Sequence, residues 1–180
     1  MSGAATAVAI FEVDEADRDR VLTWQSELDT EAAKQPGFVA SHFTRGFDDH
    51  DDWAAAVTFS SEPHLRHWLD SGDRARLLGQ GEEFGARTRD TIVLLPGERP
   101  PSGVGVFLHS VSVEDQVGFL QAEASLNQAA QSFPGYLGGL VLAPSDPDGS
   151  WISVVRFADD GQLSAWLESP ERAAQLTVLR

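Results

Sequence analysis

FSSEPHLRHWLDSGDRA, residues 59–75, has a second version near the end of the chain. That version, FADDGQLSAWLESPERA, occupies residues 157–173 and keeps the Phe, Leu, Trp-Leu, Ser and Arg-Ala positions in one register. The tryptophans of the two versions, Trp68 and Trp166, are 98 residues apart (166 − 68). A repeat that holds its register in this way indicates an internal duplication.

The same offset relates positions well outside this stretch. Pro36-Gly37 pairs with Pro134-Gly135, and Trp53 pairs with Trp151. Roughly a quarter of about 77 paired positions are identical without a gap. Two copies are too few for a solenoid, so we expect a pseudo-dimer within one chain, with the sheets of the two copies facing each other.

The first copy has the pattern of a ferredoxin-like β-α-β-β-α-β unit. Short apolar runs bounded by turn residues predict strands at 7–13, 38–47, 53–59 and 91–95. Asp14 is expected to cap a first helix that ends near Gln35, before Pro36-Gly37. That helix carries an apolar stripe at helical spacing, formed by Val21, Leu22, Gln25, Leu28 and Ala32. The second helix should begin after Ser60 or Ser61 and break and restart at Ser71-Gly72.

The second copy repeats this pattern, with strands at 104–111, 136–142 and 151–157 and helices at 113–133 and 162–176. The Pro- and Gly-rich residues 98–103 form a linker between copies at 1–97 and 104–180. The counterpart of the fourth strand would fall beyond Arg180, so residues 176–179 replace it or the second sheet has three strands. An open strand edge favours self-association, here as a homodimer, over a sealed monomer.

The composition excludes several function classes. The chain of 180 residues has no cysteine, which rules out disulfides, thiolate metal sites and a Cys nucleophile. A formal net charge of −15 argues against binding to nucleic acid or to anionic membranes. No basic segment precedes the first apolar run, and no run approaches membrane-spanning length. These features predict a cytoplasmic protein whose partner is a small molecule.

These motifs resemble the antibiotic biosynthesis monooxygenase family of the dimeric α+β barrel superfamily. The resemblance rests on the aromatic strand ends, the Leu-x-x-Trp-Leu-x-Ser helix starts followed by Arg-Ala, and the Pro-Gly-Phe and Pro-Gly-Tyr motifs. In that family two copies join their sheets into a closed barrel, usually as a homodimer, and here one chain would supply both. The resemblance implies an α+β fold and oxygenation of an aromatic or polyketide-like molecule without metal, flavin or any other cofactor, with the deprotonated substrate reducing dioxygen.

The chain departs from two branches of this family. The haem-degrading members of this family use an Asn on the first strand, a Trp on the second helix and a His further along the sequence. Trp68 and Trp166 match the Trp, but Leu78 and Leu176 stand at the His positions, and neither first strand contains Asn. Haem degradation is therefore not expected. The missing Asn also departs from the quinone-forming oxygenases of the family.

Four residues that occur in only one copy are the candidate catalytic groups. His42 and His109 lie on predicted strands, where an imidazole needs a partner, and either is a candidate general base. Arg45 and Arg156 are candidates for stabilising an enolate or phenolate. A packed or solvent-facing role is the alternative for each. Since none of the four is duplicated, we expect only one copy to carry activity.

Four tryptophans are candidate substrate-binding residues. Trp68 and Trp166 lie on the second helices, and Trp53 and Trp151 begin the third strands. An indole N–H in a pocket wall can donate to a substrate oxygen, and core packing is the alternative.

No metal site is predicted. The run DDHDD at 48–52, which contains His50, reads as a turn, and its counterpart at 146–150 has no histidine. His64 and His67 stand three residues apart on a helix without a carboxylate at a spacing that would complete a site.

Three function classes stay open: an enzyme, either an oxygenase or a non-oxidative cyclase; a small-molecule binding module; and a structural member with a filled barrel. A cavity of a few hundred cubic ångströms lined by His42 or His109 would favour the enzyme. A cavity without polar groups would favour the binding module, and a solid interior the structural member.

Overall fold

The computed structural model describes residues 3–45, 52–88, 93–97, 101–144 and 150–176. The chain divides into two compact units, Met1–Pro100 and Pro101–Arg180. Each unit combines an antiparallel sheet with helices, which confirms the α+β class and the tandem ferredoxin-like repeat. No helix within these ranges is long and apolar enough to cross a membrane.

The N-terminal unit has the strand order β2-β3-β1, with β4 and β5 both paired to the outer edge of β1. Its elements are β1 (Ala4–Glu12), a 3₁₀ turn (Glu15–Asp17), α1 (Arg18–Ala33), β2 (Phe38–Arg45), β3 (Asp52–Phe59), α2 (Glu62–Leu69), α3 (Gly72–Glu82), β4 (Arg87–Thr88) and β5 (Val93–Gly97). All pairings are antiparallel. The predicted fourth strand is therefore present as β5, whereas residues 46–51 and 91–92 lie outside the described residues.

The C-terminal unit has the strand order β6-β8-β7. Its elements are β6 (Gly103–His109), α4 (Gln116–Ala130), β7 (Tyr136–Leu142), β8 (Trp151–Phe157), α5 (Asp160–Leu167) and α6 (Pro170–Leu176). The described part of this unit contains three strands, and residues 145–149 and 177–180 lie outside it. Each of three β6 residues makes a further hydrogen bond, ion pair, ring contact or electrostatic interaction: Val106, Phe107 and His109. Self-association through this edge stays a prediction.

The break in the second helix is confirmed in both units. The Ser71 hydroxyl accepts a hydrogen bond from the Arg74 backbone N–H at 3.2 Å, and the Ser169 hydroxyl accepts one from Arg172 at 3.1 Å. Each serine thus caps a restarted helix, α3 or α6. α2 is capped by Ser61, so of the two predicted serines the structure uses the second.

The duplicated Pro-Gly motif ends the first helix of each unit in the same way. Gly37 and Gly135 have φ angles of 79° and 78°, a left-handed conformation that favours glycine. The Gly37 carbonyl accepts the Ser60 N–H at 2.7 Å, and the Gly135 carbonyl accepts the Ala158 N–H at 2.8 Å. In the N-terminal unit this bond holds the end of β3 beside the start of β2. In the C-terminal unit it holds the end of β8 beside the start of β7.

Two helix starts differ from the prediction. The Asp14 carboxylate accepts a hydrogen bond from the Ala16 N–H at 3.1 Å, so it caps the 3₁₀ turn, while α1 begins at Arg18 without a side-chain cap. α4 begins at Gln116 instead of residue 113, because the Ser112 hydroxyl donates to the Asp115 carboxylate at 2.6 Å in a preceding turn. Val113 is 82% exposed in that turn.

The prediction that Leu22 belongs to the buried apolar stripe of α1 is wrong. Leu22 is 42% exposed, and Trp24, which is 3% exposed, faces the core instead. Trp24 packs edge-on against Phe11 at 5.4 Å between ring centroids. Its indole N–H donates to the Leu77 carbonyl at 2.6 Å, which ties α1 to α3. A Cβ at Gly81 would lie 2.7 Å from the Trp24 ring, so glycine permits this close approach.

Candidate functional site

A cavity lies between the sheet and the helices of the N-terminal unit. Its floor is formed by alanines of β1 and β3, chiefly Ala7, Ala9 and Ala55, and its walls come from α1, α2 and α3. The space free of protein atoms is about 460 Å³ with the open mouth included. The part that admits the centre of a water molecule is about 50 Å³. The cavity is thus open at its mouth and narrow inside.

The repeat explains why this space is empty in the N-terminal unit. Ala9 corresponds to Phe107 of β6 (9 + 98), whose ring packs against the C-terminal core. The Arg172 guanidinium lies 5.2 Å from the centre of this ring. A Cβ at Gly105 would lie 3.1 Å from the Phe107 ring, so the ring fills the space above that strand. A phenyl ring thus occupies the position where the other unit has a methyl group.

Three polar side chains line the cavity: Gln25 and Asp29 from α1, and Arg74 from α3. Gln25 is only 6% exposed. Its side-chain nitrogen Nε2 donates to Asp29 Oδ1 at 2.8 Å. Its oxygen Oε1 is buried and has no hydrogen-bond partner among the described residues. A buried amide oxygen without a donor is costly and marks a place where a ligand group or water can donate.

The pKa of the Asp29 carboxyl is raised above its ordinary value. Burial raises its pKa, and hydrogen bonds from Ser41 and Gln25 together with the charge of His42 partly offset this rise. A carboxyl with a raised pKa is better matched to accept a proton near neutral pH.

Arg74 brings a positive charge to the cavity. Burial lowers its pKa, and the charge of Asp70 acts in the opposite direction. Its guanidinium donates to the Leu69 carbonyl at 3.3 Å. It stands in the first turn of α3, where the helix dipole disfavours a cation. Its place there is therefore not explained by helix stability.

The four predicted tryptophans have different surroundings. Trp68 is 3% exposed and lines the cavity, and its substrate-binding role stays a prediction. Trp166 packs against Phe133 at 5.0 Å in the C-terminal core. Trp53 stacks on Phe43 at 4.9 Å, and Trp151 packs against Phe119 at 5.4 Å.

The N-terminal candidates His42 and Arg45 lie on β2. His42 is half-buried opposite Ala56, and it influences the cavity through its charge on Asp29. It is not among the cavity-lining residues. Arg45 ends β2, and its side chain lies outside the described part of the structure.

His109 belongs to a polar cluster in the C-terminal unit. Its Nε2 lies 3.0 Å from Ser153 Oγ and 3.6 Å from Glu123 Oε1. Burial raises the pKa of Glu123, and a hydrogen bond from Ser153 and the charge of Arg172 partly offset this rise. A serine–histidine–acid triad uses opposite imidazole nitrogens for its two partners, whereas both contacts here fall on Nε2. These two contacts therefore do not have the geometry of a nucleophile relay.

Arg156 lies on the opposite face of β8 from Ser153, since side chains alternate along a strand. Burial lowers its pKa, and Tyr136 acts in the opposite direction. A Cβ at Gly138, which has a φ of 126°, would lie 3.1 Å from the Arg156 guanidinium. The structure thus places His42 and Arg45 in one unit and His109 and Arg156 in the other, with the latter pair on opposite faces of their sheet.

Sequence reasoning missed the polar groups of the cavity. Gln25 was assigned to the apolar stripe, and Asp29 and Arg74 were not singled out. Arg74 is duplicated as Arg172, so it does not stand out among the residues that occur in one copy only. A usable signal was present, because Gln25 interrupts an otherwise apolar helix face.

Among the described residues, no group of three or more His, Asp or Glu side chains could hold a metal ion. The DDHDD run lies outside those residues except for Asp52. The His64 ring contacts the Ser60 and Ser61 hydroxyls at 3.2 and 3.0 Å, which gives it a local structural role beside the α2 cap.

Comparison with known proteins supports the fold. No protein-family model matches the chain. An uncharacterized protein of Synechococcus elongatus is 36% identical over 75 residues, which is 41% of this chain and 36% of that protein. This chain therefore spans about a third of the relative's length.

Two solved structures align with nearly the whole length of this chain. A candidate monooxygenase from Fusobacterium nucleatum aligns with a TM-score of 0.52 and 7% identity, covering 98% of this chain and 85% of that one. Another from Lactobacillus acidophilus aligns with a TM-score of 0.50 and 10% identity, covering 98% and 87%. Likeness at such identities shows the fold alone. The chain thus has the tandem ferredoxin-like α+β fold of these structures, and the resemblance drawn from its motifs is confirmed at the level of the fold.

Proposed function

We propose that the protein is a monooxygenase of the antibiotic-biosynthesis type that acts on a small aromatic molecule in the N-terminal cavity. The observation that supports this most is the cavity itself, which combines an alanine floor, the Trp68 wall and the polar groups of Gln25, Asp29 and Arg74. Ligand sites typically join an apolar lining to a few placed polar groups in this way.

In the proposed reaction the substrate supplies the electrons. A ring carbon activated by a neighbouring hydroxyl or carbonyl loses a proton to Asp29, and the charge of His42 favours the ionised form of Asp29 that accepts it. The carbanion adds dioxygen, and the peroxide then eliminates water. A CH₂ group and O₂ thus become a C=O group and H₂O, with no external reductant. Arg74 stabilises the oxyanion of the activated substrate.

The proposed site belongs to one unit only. Phe107 and the Glu123 cluster fill the equivalent region of the C-terminal unit, which supports the expectation of a single active copy. Within this proposal Asp29 and Arg74 act on the substrate and His42 acts through Asp29, while catalytic roles for Arg45, His109 and Arg156 stay predictions.

The narrow interior of about 50 Å³ favours a second candidate function. A non-oxidative cyclase-like enzyme or a binding module for a small ligand needs the same polar groups but no route for dioxygen. The sequence predicts that an enzyme would have a cavity lined by His42 or His109. The polar lining of this cavity comes from α1 and α3 instead and includes neither histidine.

Oxygen consumption distinguishes these candidates. Purified protein is incubated with phenols, naphthols and anthrones in an oxygen electrode, and the product is analysed after reaction in ¹⁸O₂. We expect one labelled oxygen atom per product and loss of the reaction in Asp29→Asn. Glu123→Gln is the matched carboxylate-to-amide control in the other unit and should keep the rate. Ligand binding without oxygen uptake by any substrate would refute the monooxygenase and leave the second candidate.

A further inference from the structure

The two units differ in charge at one buried position of their first helices. Gln25 of α1 corresponds to Glu123 of α4 (25 + 98), and each side chain is 6% exposed. The arginines beside them are equivalent as well, since Arg74 corresponds to Arg172 (74 + 98). The C-terminal unit therefore has a buried carboxylate where the N-terminal unit has a neutral amide.

The C-terminal pair is electrostatically matched. The charge of Glu123 acts on Arg172 and favours its protonated form, against the effect of burial. Arg172 acts on Glu123 in the same sense, and Ser153 adds a hydrogen bond to the carboxylate. The two groups therefore attract each other, while burial has the larger effect on the pKa of each.

In the N-terminal unit Gln25 takes the place of Glu123 and carries no charge that could act on Arg74. The charge that acts on Arg74 is that of Asp70, an exposed residue at the end of α2. Among the described residues neither Arg74 nor Arg172 has a carboxylate within salt-bridge distance, whereas Gln25 Oε1 has no donor. Arg74 and Gln25 both line the cavity. Half-buried guanidinium groups are normally paired with an anion.

The Asp29 carboxyl is engaged by groups other than Arg74. Its carboxyl is bound to Gln25 and Ser41 and is influenced by His42, and Arg74 is not among the groups that act on it. The cavity thus has a positive group and an unsatisfied acceptor, with the one lining carboxyl engaged elsewhere.

We propose that this cavity binds a small planar organic anion. Its anionic oxygen approaches Arg74, which lines the cavity, and a hydroxyl of the same molecule donates to the buried Gln25 Oε1. This inference rests on the site of the proposed function and names its ligand class, but it does not require turnover. The shared chemistry is a negatively charged oxygen on a conjugated framework, which a carboxylate or a phenolate supplies.

The rest of the cavity fits such a ligand. The alanine floor and the Trp68 indole offer apolar contact to one aromatic ring. The net charge of −15 opposes non-specific binding of anions to the surface, so measured anion affinity reports a local site.

Calorimetry with matched ligands tests the proposal. We expect 4-hydroxybenzoate to bind about tenfold or more tightly than its neutral analogue 4-hydroxybenzamide, because a charge-assisted hydrogen bond replaces a neutral one. The absorbance of bound 4-nitrophenol tests the phenolate as the source of the charge. Gln25→Glu should remove the preference for anions, since it installs the internal carboxylate of the other unit. Glu123→Gln should leave the preference unchanged, and thermal unfolding checks that each variant is folded.

Equal affinity for 4-hydroxybenzoate and 4-hydroxybenzamide would overturn the proposal, and so would binding of neither compound. A Gln25→Glu variant that still prefers the anion would also overturn it. These outcomes are distinct from failure of the proposed function. Anion binding without oxygen uptake would remove the monooxygenase and keep this inference. Oxygen uptake with neutral substrates that is insensitive to Gln25→Glu would remove this inference alone.

Discussion

Replacing Phe107 by Ala tests whether this ring fills, in the C-terminal unit, the space that is open in the N-terminal cavity. Complete burial makes a Phe→Ala change cost about 3–5 kcal/mol. Phe107 is half-buried, so we expect about half of this, near 2 kcal/mol. Loss of its contact with the Arg172 guanidinium at 5.2 Å adds about 0.5–1 kcal/mol. The expected loss in the free energy of unfolding is therefore about 2.5–3 kcal/mol, measured by urea denaturation.

The reciprocal change, Ala9→Phe, should fill the N-terminal cavity with the ring that the other unit already holds. Small neutral aromatics such as phenol stabilise the folded protein only while a cavity binds them, by about 2.7 kcal/mol at a hundredfold excess over Kd. We expect Ala9→Phe to lose this stabilisation and the Ala9→Phe/Phe107→Ala double variant to regain it. A Phe107→Ala variant within about 0.5 kcal/mol of the parent, or an Ala9→Phe variant still stabilised by phenol, would refute the reasoning.

Three further predictions concern single side chains. Trp24→Phe removes the 2.6 Å bond to the Leu77 carbonyl and should cost about 1–2 kcal/mol in urea denaturation; an unchanged midpoint would contradict this. Ser61→Ala removes the acceptor of the His64 N–H and should cost about 1 kcal/mol in thermal unfolding, with Ser61→Asp as the control that keeps the cap. Burial raises the folded pKa of Glu123, so its contribution to stability is present at acid pH and is lost as pH rises through that pKa. The stability of the parent relative to Glu123→Gln should therefore fall from acid to neutral pH, and a difference that rises with pH would contradict the assignment.

The sequence determined the fold because the fold depends on local patterns that the chain states twice. The Pro-Gly motifs adopt the same left-handed turn at Gly37 and Gly135, with the same bond to the central strand. The Ser71 and Ser169 caps likewise restart the second helix in each unit. Capping and turn formation act over a few residues, so they can be predicted without knowledge of the tertiary structure.

The tertiary structure decided the rotation of α1 and the location of the cavity. Leu22 and Trp24 are both apolar and close in the chain, and only packing against Phe11 and the carbonyl of Leu77 selects Trp24 for the core. The cavity joins Gln25 of α1 to residues as distant in the chain as Arg74. The effect of burial on their charges depends on neighbours from separate elements, which sequence spacing does not encode. The sequence therefore determined which elements form and in which order, whereas their packing decided which polar groups share a cavity.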